Sequence, residues 1–184
     1  MNMQADLTPY LVPMKNTLAL SVGTIAFVLS LFFACAAPPP SAQDKFEANA
    51  ATVAQVFADF EAESDAFFTH FAPDAVWQGT GLDAPETVTL EQVRKKYQGA
   101  WSKYDYELIS EEDFLPSVDP ISKELDGTVC GYFEWNISKP ATDSTDMKSV
   151  RIRVYESFRF NEAGEIVYTQ VYGNLVAGYQ FLDR

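Results

Sequence analysis

Three consecutive runs near the C-terminus constrain this chain more than any other feature. Residues 128–137, 149–160 and 165–172 are dense in β-branched and aromatic side chains and bounded by turn formers, the signature of strands. The connection at 161–164 reads Asn-Glu-Ala-Gly. A four-residue link with Gly late in it predicts a hairpin between the second and third runs, and the three are expected to lie as antiparallel neighbours. Alternation then assigns faces. Val129, Gly131, Phe133, Trp135 and Ile137 share one face of the first run, and Val150, Ile152, Val154, Glu156, Phe158 and Phe160 share one face of the second. The same rule groups Ile166, Tyr168, Gln170 and Tyr172 in the third. Glu156 is the one acid in an otherwise apolar row. If that row faces the interior, burial disfavours the charged carboxylate and makes Glu156 a candidate acid or base, unless an Arg neutralises it. The opposite face of its strand carries Arg151, Arg153, Tyr155 and Arg159, where Arg153 could pair with Glu134 across strands without any catalytic meaning.

Ahead of these runs the spacing is helical. Ala50, Val53, Phe57, Phe60, Phe67, Phe68 and Phe71 recur three, four or seven apart among polar residues, which predicts an amphipathic helix over 46–71 with a break near Glu63 and Ser64. Pro73 ends it, and residues 74–78 read as a short strand. Thr89 with Gln92 has the form of a capping box opening a second helix, whose apolar face is Leu90, Val93, Tyr97 and Trp101. Residues 104–115 read as one further strand, closed by Pro116 and Pro120. Helices followed by a run of strands predict an α+β domain, with helices on one face of an antiparallel sheet.

The N-terminus reads as an address. Met14 and Lys15 begin a short basic start, and an uncharged stretch then runs from Leu18 to Ala34 before Cys35, with no basic stop-transfer cluster after it. Residues 1–34 are therefore expected to be a leader, with Met14 an alternative start. Residues 35–44 form a Pro-rich tether in polyproline geometry, and 45–184 the domain. Residues 31–35, Leu-Phe-Phe-Ala-Cys, resemble the lipobox of bacterial lipoproteins, although Phe32 and Phe33 stand where that family usually has Leu and a small residue. The resemblance implies cleavage before Cys35, lipid on its thiol and a place in the cell envelope. Ordinary secretory cleavage near 34–36, giving a periplasmic or secreted protein, is the alternative. Cys130, the second of two cysteines, is expected to be a lone thiol on a strand.

The formal net charge of -13 excludes broad electrostatic attraction to nucleic acid or anionic lipid, so membrane contact is expected only through the lipidated N-terminus. One His and two Cys cannot build a usual zinc site, and no P-loop, dinucleotide fingerprint or Gly-x-Ser-x-Gly elbow occurs. No metal or cofactor is expected.

Residues 68–77 after a long helix, the capped helix from Thr89, and residues 158–166 near the C-terminus together resemble the nuclear transport factor 2-like superfamily, in its SnoaL-like branch. The resemblance covers residues 45–184. It implies a cone: a curved antiparallel sheet wrapped around the N-terminal helices, with a pocket in its mouth and a homodimer formed through the outer sheet face. In that superfamily the cone serves isomerases, dehydratases, cyclases, hydrolases and non-catalytic binders, so the fold does not decide the function.

Two functions compete. A binding module for a small apolar or aromatic molecule needs an aromatic wall, for which Trp77, Tyr97 and Trp101 are the candidates although core filling explains them better, and a few polar groups such as Tyr155, Gln170 and Tyr172. A cofactor-free enzyme needs in addition a pocket carboxylate or imidazole, for which Glu156 and His70 are the candidates. His70, the one His in the chain, is equally well explained as a helix-end residue, and Asp74 as a turn residue. Where other members carry a terminal Asp, this chain has Asn174, which cannot transfer protons. The binding reading is favoured on sequence alone, and which side chains enter the cone decides between the two.

Overall fold

The computed structural model describes residues 39–81 and 84–184, so the leader, Cys35 and the first part of the tether lie outside the described residues. From Pro40 onward the chain is one unit. Helix α1 (Ala42–Glu61) begins earlier than the spacing of large apolar residues predicts, because Ser41 and Asp44 close a capping box. The backbone N–H of Asp44 donates to Ser41 Oγ at 3.1 Å and that of Ser41 to Asp44 Oδ2 at 2.8 Å, satisfying two donors that a bare helix end leaves open. The expected break follows α1. Glu63 takes a positive φ of 55°, and a short 3-10 helix (Asp65–His70) capped by Ser64 carries the chain into β1 (Phe71–Gly79).

Strand β2 (Val88–Thr89) leads into α2 (Leu90–Trp101), whose first turn carries the Thr89 and Gln92 capping box as expected. The single strand expected over 104–115 is two: β3 (Asp105–Leu108) and β4 (Asp113–Val118), both paired with β5 (Leu125–Lys139). Between them Ser110 takes the backbone N–H of Glu134 on its hydroxyl at 3.0 Å, interrupting the ladder. Pro116 lies inside β4 instead of ending it. It is tolerated because β4 sits at the sheet edge, where a missing N–H costs no ladder bond. Strands β6 (Lys148–Phe160) and β7 (Ile166–Gly173) form the predicted hairpin, with Gly164 at φ 80° in the turn, and helix α3 (Leu175–Leu182) ends the chain.

The seven strands form one curved, unclosed sheet in the order β2-β1-β7-β6-β5-β3, with β4 also on β5. The sheet is mixed, because β1 runs parallel to β7. The other pairings are antiparallel, as the α+β expectation has them. The concave face receives Phe57 of α1, whose ring lies 4.5 Å from Phe133 and 5.9 Å from Phe158. Helix α3 closes on β6 through Gly178, where a Cβ would come within 2.3 Å of Ile152 Cδ1. A side chain at this position would have to displace the end of Ile152.

Candidate functional site

The inner row of β6 is where alternation predicts it. Val154, Glu156 and Phe158 face the same side as Phe133 and Trp135 of β5 and line a cavity of about 70 Å³, several times what one water requires. Phe57 and Phe60 of α1 cover it from above. Directly across from Glu156 on β5 stands Gly131, which places no side chain beside the carboxyl, and on β7 stands Val171.

Glu156 is the one carboxyl among the described residues that line this cavity. Glu156 is partly buried, and desolvation within the cavity lining pushes its pKa from 4.5 up to about 7. A hydrogen bond opposes the shift: Thr169 Oγ1 donates to Glu156 Oε1 at 2.6 Å. No Arg, Lys or His is among the described residues lining the cavity. The Arg side chains of β6 lie on the outer face, where Arg153 pairs with Glu134 at 3.5 Å and Arg159 stacks over Tyr168 at 3.8 Å. A carboxyl near half-protonation at neutral pH in an apolar cavity can both accept and return a proton.

Three phenols share the space. Tyr97 comes from α2, Tyr106 from β3 and Tyr179 from α3. Burial raises the pKa of each; the charge of Glu156 raises Tyr97 further, and neighbouring Tyr179 raises Tyr106 further. All three are therefore neutral donors at physiological pH. The hydroxyls of Tyr106 and Tyr179 are 2.9 Å apart. Their mutual bond uses one of two protons, which leaves the other to donate to a bound oxygen. Asp183 pins the end of α3 by accepting from Tyr104 at 2.8 Å and from Lys139 at 2.7 Å, and so holds Tyr179 in place.

The remaining candidates are distributed differently. Among the proposed wall residues Tyr97 lines the cavity, whereas Trp77 stacks on Phe71 at 4.5 Å and Trp101 packs between Phe60 and Phe68 at 5.6 Å from each. Those two indoles lie behind the wall as core. His70 Nε2 sits 2.7 Å from Asp59 Oδ2, tying the 3-10 helix to α1 outside the cavity lining. Tyr155 stands on the outer sheet face between Tyr132 and Tyr172, with ring centroids 4.7 and 5.9 Å away. The neighbouring Cys130 thiol, together with burial, pushes its phenol up to about 12.

Gln170 and Tyr172 also lie on that outer face, and the grouping of them with Ile166 needs correction. Between Phe160↔Ile166 and Arg159↔Tyr168 the register shifts, so Val167 is one residue too many on β7. Such a bulge reverses the facing of everything after it. Ile166 stays inside, Tyr168, Gln170 and Tyr172 turn out, and Thr169 and Val171 turn in. Thr169, Tyr106 and Tyr179 are thus site residues that the sequence reading missed. The bulge gave no local signal for Thr169, while Tyr179 carried one in its place on a short apolar C-terminal helix.

No family model and no curated protein matches the chain. Solved structures do. A candidate isomerase from Bacillus subtilis superposes with a TM-score of 0.59 at 13% identity, covering 74% of this chain and 95% of its own. A candidate polyketide cyclase from Xanthomonas campestris gives 0.55 at 16% identity, over 76% and 97%. An NTF2-like protein from Burkholderia xenovorans gives 0.53 at 11% identity, over 74% and 96%. At such identities the likeness is one of architecture, and the domain has the nuclear transport factor 2-like fold.

Proposed function

We propose that the cavity binds a small, largely apolar carbonyl compound and that Glu156 moves a proton on it. One observation carries the reading: an acidic side chain lining an aromatic cavity, with a hydroxyl as its hydrogen-bond partner and no cation among the described lining residues. As carboxylate, Glu156 takes a proton from a carbon next to the carbonyl. The electron pair passes to the carbonyl oxygen, which accepts the free O–H of the Tyr106 and Tyr179 pair, and the protonated Glu156 then returns its proton to the same carbon or, where a conjugated double bond extends the enolate, to its far end. The candidate isomerase and cyclase above share the fold with this chain, and the site residues, not those descriptions, support the proposal.

The test is hydrogen–deuterium exchange at carbon, followed by NMR over a panel of small cyclic ketones and aromatic polyketide-like carbonyl compounds. Glu156→Gln should lower the exchange rate by about 10²- to 10⁴-fold while leaving a bound apolar dye in place. Binding of panel members with no exchange above buffer would favour the other reading, a pure binding module. That reading draws on the absence of a second carboxyl or an imidazole among the described lining residues.

We infer from the leader alone that the domain works outside the cytoplasm, tethered through Cys35. Cys35→Ser should move the protein from the membrane fraction to the soluble envelope fraction. A wild-type protein already soluble, with a mature N-terminus other than Cys35, would refute the lipid attachment.

A further inference from the structure

We propose that Thr169 is the positioning residue of this site: its hydroxyl holds one oxygen of Glu156 and so turns the other toward the cavity. Its catalytic meaning rests on the proton-transfer reading, whereas the hold itself rests on geometry. Thr169 is 0% exposed, the one fully buried polar residue among the described residues, in a core otherwise built of apolar and aromatic side chains. A buried hydroxyl is retained only where it has a partner, and its partner is Glu156 Oε1 at 2.6 Å.

The contact depends on a backbone device. Val171 lies directly opposite Glu156, which makes Thr169, two residues back along β7, its diagonal neighbour. Without the extra residue at Val167 the face of β7 would invert, and the hydroxyl would stand on the outer side with Ser157 and Arg159. The bulge thus delivers one donor to the single carboxyl among the described residues that line the cavity. A bulge that re-aims one side chain beside a site is a recurrent use of this irregularity.

The remaining neighbours leave the role to Thr169. Helix α1 brings Phe57 and Phe60 to the same cavity lining, and β5 places Gly131 directly opposite Glu156 with Phe133 the next residue on that face. The titratable groups facing it are the phenols Tyr97 from α2, Tyr106 from β3 and Tyr179 from α3, and two of these phenols are bonded to each other. With Oε1 engaged, rotation about the last side-chain bond is blocked, and Oε2 is the oxygen left to meet a substrate C–H. The hydroxyl also stabilises the charged carboxylate, against the effect of burial.

The experiment compares wild type, Thr169→Val and Thr169→Ser by NMR titration of the Glu156 side-chain carboxyl in protein labelled with ¹³C-glutamate, with Glu156→Gln to assign the resonance. Valine keeps the shape and removes the donor, so the titration midpoint should rise by about one pH unit, a tenfold gain in proton affinity. Serine should restore it. The acid limb of the exchange rate against pH should move with the midpoint. A midpoint unchanged in Thr169→Val overturns the proposal. Should that variant not fold, the wild type decides by itself: a carboxylic acid stretch typical of a free acid at low pH, and not one lowered by a hydrogen bond, overturns it equally. A shifted midpoint together with full exchange activity in Glu156→Gln would overturn the catalytic role and refute the proton-transfer reading, while the hold on the carboxyl would stand.

Discussion

Glu156→Gln should make the protein more stable at pH 8, by about 3 kcal/mol, and leave it nearly unchanged at pH 4. The folded protein raises this carboxyl from 4.5 to about 7, chiefly by burial, at about 1.4 kcal/mol for each tenfold change in proton affinity. Between those two values the folded state holds a proton that the unfolded chain has released. Stability is therefore full below the unfolded value and falls as the pH rises through about 7, the direction opposite to that of an ion-paired carboxylate. Gln has no charge to bury and can still accept from Thr169, so its curve should be flat where the wild type slopes. Urea unfolding at pH 4, 6 and 8 reads the difference. Parallel curves for the two proteins would show that Glu156 is solvated in the folded state, and the proposed chemistry would lose its basis. A charge that costs stability is the kind of feature retained at functional sites.

Phe57→Ala should cost about 3–5 kcal/mol, the usual range for removing a large buried ring. Phe57 is 4% exposed and reaches four other rings: Phe133 at 4.5 Å, Phe114 and Phe158 at 5.9 Å, and Trp135 at 6.1 Å. It is the point at which α1 enters the concave sheet, and it also forms part of the cavity roof. Truncation therefore removes both the packing and one wall. The loss is measured as the drop in the urea midpoint at constant slope. Addition of benzene should recover part of it, because an enlarged apolar cavity binds an apolar guest and binding stabilises the folded state. A cost below about 1 kcal/mol would mean that the helix collapses into the gap and that Phe57 does not hold the cavity open.

Local rules carried the reading of this chain a long way. The capping box at Thr89 and Gln92 depends on side chains three residues apart, and the hairpin at 161–164 on one Gly late in a short loop; both are present. The inward row of β6 followed from alternation alone, and with it the placing of Glu156 among apolar neighbours. Alternation failed on β7 for an equally definite reason. A bulge is a mismatch between two strands, and nothing in 166–172 taken alone records how many residues of β6 will oppose it.

Three things were thus determined by sequence at short range: the start of α2, the turn, and the side of β6 on which Glu156 stands. What surrounds that carboxyl was decided only by tertiary structure. Thr169 reaches it through a register shift, Tyr97 and Tyr106 arrive from elements far upstream, and Tyr179 arrives on a helix that Gly178 lets close against Ile152. Those contacts join residues up to 73 positions apart. Chain spacing sets the periodicity of a single element, whereas the partner of a buried polar group is set by which elements meet, and that depends on the packing of the whole domain.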